Sequence, residues 1–150
     1  MKLRNKPHER GVDTKSSFPP VTHDRPVAAQ GRRLVAVDRL DDRRVVEVRT
    51  STHGVLAVGL TPDGTPFAVS NLCRHQLGKL GRGRVTDDGC LQCPWHRADY
   101  NIADGSMVSG PKGRIFGFVP YSRAIKLFGN LVKLRSFPVE LHDGVIWLKG

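Results

Sequence analysis

Two short stretches, each pairing a cysteine with a histidine, constrain this chain more than anything else in it. They are Cys73-Arg74-His75, within NLCRHQLGKLGRGRV, and Cys93-Pro94-Trp95-His96, within GCLQCPWHRADY. Thiolate and imidazole are both ligands for transition metals, so the two stretches together offer a four-ligand site if the fold brings them to one place. Residues 76–92 lie between them. Each half alone is a weak signal.

The spacing leaves three chemistries to weigh. Cys90-Leu91-Gln92-Cys93 has the form of a thiol redox pair, but such a pair wants its first cysteine at a helix N-terminus, and this run reads as a strand ending at Pro94. Cys90 is read instead as a small buried side chain. A single zinc ion usually takes paired ligands two to five residues apart, which the one-residue gap between Cys73 and His75 suits poorly. A two-iron cluster divides the ligands differently: two thiolates hold one iron, two imidazoles the other, and each loop bridges both. His8, His23, His53 and His142 have no ligand-spaced partner and read as solvated or structural.

The rest of the chain reads as all-β. Short β-branched runs, LVAV at 34–37, RVVEVRT at 44–50, VLAVGL at 55–60 and FAVSN at 67–71, are bounded by Gly, Asp, Thr and the turn TPDGTP. Asp143-Gly144 between FPVEL and VIWLKG predicts a terminal hairpin. One segment departs from this pattern. In residues 120–134, Tyr121, Ala124, Ile125, Phe128, Leu131 and Val132 recur at helical spacing, and Pro120 suits the first helical position. A short amphipathic helix laid on the sheet edge is expected there, with a partner or a membrane surface as the other use of its apolar face. Residues 1–31 mix charges, prolines and small polar residues without an apolar period and read as a disordered basic tail.

The formal net charge is +10, which suggests nucleic acid until it is divided along the chain. Residues 1–33 carry eight Lys/Arg against three acids, 34–110 nine against nine, and 111–150 seven against two. The excess sits on the flanks, which suits an electrostatic docking surface better than a nucleic-acid reading head. Three cysteines and no apolar leader point to a reducing, cytoplasmic setting. No stretch approaches the roughly 20 consecutive apolar residues that span a bilayer.

With C-x-H, the gap, and C-P-W-H in place, the chain resembles the Rieske-type [2Fe-2S] proteins, especially the small Rieske ferredoxins. Leu80, Gly83 and Val85 match the family's L-x-x-G-x-V, Tyr100-Asn101 stands where it usually has Phe-Asp, and Gly110-Pro111 matches its proline loop. FAVSNLC and the 137–149 hairpin extend the likeness to residues 34–150, with 112–136 longer than typical. The resemblance implies a small antiparallel β-sandwich over 32–150 with cluster-binding loops at 71–111. It implies Cys73, His75, Cys93 and His96 as ligands of a [2Fe-2S] cluster covered by Gly78, Pro94, Trp95, Tyr100, Gly110 and Pro111. Leu77 and Arg97 depart from it, each standing where the family has glycine, so the loop path there is in question. Gly78 and Trp95 occupy the positions of the interloop disulfide of the respiratory branch, which this chain cannot form.

The same resemblance implies a one-electron carrier running between a flavin reductase and a terminal acceptor such as an oxygenase, with no catalysis of its own, because only His142 follows the cluster motif. Ala98 in place of a serine, with Tyr100 retained, implies a midpoint between about −150 mV and zero. Arg74 and Arg97, next to the ligands, are the expected contacts for an acidic partner. A small subunit docked on a larger redox enzyme and a zinc-bound structural module are the alternatives.

Overall fold

The computed structural model describes residues 31–112, Ala124, Leu127 and 131–150. Three antiparallel sheets account for the strands found there. The central sheet joins β2 (Val45–Thr50), β3 (Gly54–Leu60), β4 (Pro66–Ser70) and β9 (Ser136–Phe137). A terminal sheet joins β1 (Arg32–Ala36), β11 (Val145–Leu148) and β10 (Val139–His142). A small third sheet runs β5 (Arg84–Val85), β6 (Cys90–Gln92), β7 (Asp99–Asn101) and β8 (Met107–Ser109).

The central sheet is covered on both faces, which explains why β3 reads as the unbroken apolar run VLAVGL instead of alternating with polar residues. Side chains still alternate between the faces. Leu56 and Val58 of β3 and Ala68 of β4 pack with Phe137 of β9 and with Ile146 and Leu148 of the terminal sheet. Ala57 of β3 and Phe67 and Val69 of β4 face the other way, onto Leu80, Leu91, Tyr100 and Met107. That second core also contains Cys73 and Cys93, so the two Cys/His loops are rooted in packed apolar structure. Gly59 sits where a Cβ would fall 2.0 Å from the Arg44 carbonyl oxygen, and the close approach admits no larger residue.

The terminal hairpin forms as the sequence predicts: β10 and β11 pair from Val139–Leu148 to His142–Val145 across Asp143-Gly144, both at positive φ, 49° and 69°. That is the backbone twist a two-residue turn needs between right-handed strands. The tail expected at 1–31 lies outside the described residues except for Gly31, and most of the helix expected at 120–134 lies outside them too. Of that helix, Ala124, Leu127 and Leu131 are helical and exposed, and Val132 after it is exposed as well. Leu134 is buried, and its N–H donates to the Gly105 carbonyl at 2.8 Å.

Candidate metal centre

The two Cys/His stretches fold into the same turn. In the first, the Cys73 N–H donates to the Gly78 carbonyl (2.8 Å) and the Leu77 N–H to the Cys73 carbonyl (2.9 Å). In the second, the Cys93 N–H donates to the Ala98 carbonyl (2.9 Å) and the Arg97 N–H to the Cys93 carbonyl (3.2 Å). Closing such a turn needs a left-handed residue at its fourth step, as at a helix C-terminus. Leu77 and Arg97 supply it with φ of 61° and 55°. These are the two positions where glycine was the expected residue, and the chain takes the glycine-like path without glycine. The histidine stands at the second step of one turn and the third step of the other, so the unequal gaps of the two motifs fit on one scaffold.

The turns meet. Cys73 and Cys93 are buried, and the interaction of their side chains lowers the pKa of Cys73 and raises that of Cys93. The His75 and His96 rings lie edge to face with centroids 5.0 Å apart. Burial, then the neighbouring His96, pushes the His75 pKa down and favours the neutral, metal-binding form. Tyr100, fully enclosed, places its hydroxyl 3.0 Å from Cys73 Sγ, and burial followed by that thiol raises the phenol's pKa. Gly78 closes the wall: a Cβ there would lie 3.0 Å from Cys93 Sγ and 3.4 Å from Trp95 Cδ2.

The expected cover residues are distributed around this group. Trp95 is 61% exposed with its ring edge-on to His96 at 6.4 Å, and Leu77 is 65% exposed. Pro94 is exposed, Gly110 half-buried and Pro111 buried. Immediately after Pro111, the Lys112 N–H donates to the His96 carbonyl (2.6 Å), so the proline loop is tied to the second Cys/His turn. Arg74 turns inward. Its guanidinium donates to Ser70 Oγ (3.4 Å) and the Lys133 carbonyl (3.2 Å), whereas Arg97 stays exposed.

Sequence reading missed two polar networks that hold the turns. Asn71 is buried; it accepts from the Gly81 N–H (2.7 Å) and donates to Glu47 (2.7 Å), which also takes Arg82 Nε (2.7 Å). Asp99, also buried, accepts from Gln92 Nε2 and Lys112 Nζ, both at 2.7 Å. Gln92 and Asp99 are opposite each other in the β6–β7 register, a relationship invisible until the strands are paired. Cys90 is half-buried, and burial, then Asp99, raises its thiol pKa, which describes an unreactive thiol. His53 packs on Phe137 and His142 pairs with Asp143.

Two thiols side by side and two imidazoles side by side suit a group with two metal atoms. The donor set and the Cβ-free wall at Gly78 therefore fit a two-iron cluster. A family model, that of the Rieske [2Fe-2S] domain, matches residues 21–128. The chain belongs to the Rieske [2Fe-2S] domain family. A Rieske domain carries a [2Fe-2S] cluster with cysteine and histidine ligation.

Among Rieske relatives, the oxygenase component of dicamba O-demethylase from Stenotrophomonas maltophilia is 33% identical over 100 residues, 67% of this chain and 26% of that protein. The ferredoxin subunit of 3-phenylpropionate/cinnamic acid dioxygenase from Photorhabdus laumondii is 24% identical over 86 residues, 57% of this chain and 65% of the relative. The solved ferredoxin of Sphingomonas yanoikuyae B1 superposes with a TM-score of 0.58 at 25% identity, covering 80% of this chain and 98% of that one. The chain thus spans about a quarter of the oxygenase component and nearly the whole of the solved ferredoxin.

Proposed function

We propose that Cys73 and Cys93 hold one iron of a Rieske cluster, that His75 and His96 hold the other, and that the chain carries single electrons from a flavin reductase to an acceptor such as an oxygenase. The observation that carries this reading is the pairing of like ligands: thiol beside thiol within the core, imidazole beside imidazole. Ferredoxin subunits among the relatives, and a neighbour matched over nearly its whole length, support the carrier role.

When bound, the cluster supplies a one-electron redox couple. The chain's own residues set its surroundings. The Tyr100 oxygen accepts from the Arg74 N–H (2.9 Å) and lies 3.0 Å from Cys73 Sγ; toward a metal-bound thiolate, which has no proton to give, the phenol is the donor and stabilises negative charge on sulfur. Leu77 and Trp95 are exposed at the tips of the two turns, beside the ligand residues, and form an apolar rim against which a partner can exclude water.

Purification without oxygen tests the reading. Two irons and two acid-labile sulfides per chain, and a reduced EPR signal averaging near 1.9, are the expected result; His75→Ala and Cys93→Ser each remove them. A colourless protein holding one zinc overturns it. A second reading, a Rieske component seated on a larger redox enzyme, is favoured by the 33% match to an oxygenase component. Stoichiometric co-purification with a large iron enzyme, stable at high salt, decides for that reading.

A further inference from the structure

A groove of about 270 Å³ runs along the flank of the second ligand turn, with Cys93 and Pro94 on one side and four arginines, Arg43, Arg82, Arg84 and Arg97, around it. All four are exposed. Two already have carboxylate partners: Arg43 pairs with Asp41 and Arg82 with Glu47, each at 2.7 Å. Among the described residues Arg84 and Arg97 have none within ion-pair distance. The two come from different elements, Arg84 from β5 and Arg97 from the end of the ligand turn, so the fold brings together like charges that repel unless an anion separates them.

Arg97 adds a second, independent observation. Its φ of 55° is a left-handed conformation that costs a residue with a side chain about 1–2 kcal/mol, a strain glycine avoids. The equivalent turn places Leu77 in the same conformation, so what is particular to Arg97 is its side chain, which lines the groove together with the unpaired Arg84.

We propose that this groove seats an acidic segment of the redox partner, with the carboxylates of that segment taken by Arg84 and Arg97. Guanidinium forks match carboxylates two bonds at a time, and charge complementarity selects an acidic chain. Among the described residues no aromatic ring lines the groove, so it lacks the aromatic platform on which single-stranded nucleic acid stacks its bases. The proposal rests on the electron-carrier reading, since a segment held against Cys93 and Pro94 brings its protein to the cluster loops. It moves the charged docking contact from the tip, where Arg74 is turned inward, to one side of the second turn.

The test uses the full chain with its cluster and a labelled octaglutamate peptide, followed by fluorescence anisotropy at low and at physiological salt. Binding to the wild-type protein, weakened about tenfold by either Arg84→Glu or Arg97→Glu and less than twofold by Arg33→Glu on β1, is expected. Three failures overturn the proposal: no binding to the wild type, equal loss in all three variants, or a thymidine octamer bound more tightly than the peptide through the same two arginines. Visible absorption of the cluster is recorded on every sample. An absent cluster with intact peptide binding counts against the electron-carrier reading alone, and an intact cluster with no peptide binding counts against the groove alone.

Discussion

The hydroxyl of Tyr100 lies 3.0 Å from Cys73 Sγ and 2.9 Å from the backbone nitrogen of Arg74, so one phenol is hydrogen-bonded to both the thiol and the amide that follows it. The two residues are 27 apart in sequence and meet only because the third sheet packs under the first turn. Tyr100→Phe keeps the ring and removes both bonds. With a hydrogen bond worth about 1 kcal/mol, the midpoint potential falls by about 40 mV in a redox titration. An unchanged midpoint means that the phenol does not donate to the sulfur.

Leu77 is the second test. Its side chain is largely exposed and its backbone is left-handed, so Leu77→Gly relieves strain without opening a cavity. The relief of about 1–2 kcal/mol is partly offset by the freedom glycine gains in the unfolded chain, about 0.4–1 kcal/mol. The melting temperature rises by about 2–4 °C. Leu77→Ala keeps the strain and brings no rise, which distinguishes backbone relief from the loss of an exposed apolar group.

Gly78→Ala acts in the opposite direction. The new methyl meets Cys93 Sγ at 3.0 Å, and Cys93 is buried in the core, where it cannot give way without displacing its turn. Overpacking of this kind costs about 1–3 kcal/mol. Iron per chain is expected to drop below half of the wild-type value; full loading with an unshifted spectrum contradicts the close-packed wall.

Glu47 gives the chain a pH signature. The hydrogen bond from Arg82, and then that from Asn71, hold its carboxyl below the ordinary range. A carboxylate lowered in the folded state contributes stability above its unfolded value near 4.5 and loses it as the pH falls further. Arg82 is 63% exposed, so screening limits the pair to about 1 kcal/mol or less. Glu47→Gln therefore lowers stability slightly at pH 7, and the two denaturation profiles converge below pH 4. A constant offset down to pH 3 assigns the loss to packing rather than to charge.

Local patterns in the sequence determined much of this molecule. The two Cys/His pairs, the β-branched runs and Asp143-Gly144 each depend on neighbours within a few residues, so their chemistry is legible without coordinates. The loop path at Leu77 and Arg97 stayed open in the sequence, and the structure gives both residues the left-handed conformation that glycine tolerates best.

Tertiary structure decided what depends on register and on distance through space. Counted along the chain, residues 34–110 are electrically neutral, yet folding gathers four of their arginines at one groove and turns a fifth, Arg74, inward. The Gln92–Asp99–Lys112 and Asn71–Glu47–Arg82 networks follow the same rule. Composition sums charge over sequence, whereas Coulomb interaction and hydrogen bonding act over ångströms, and only paired strands set those distances.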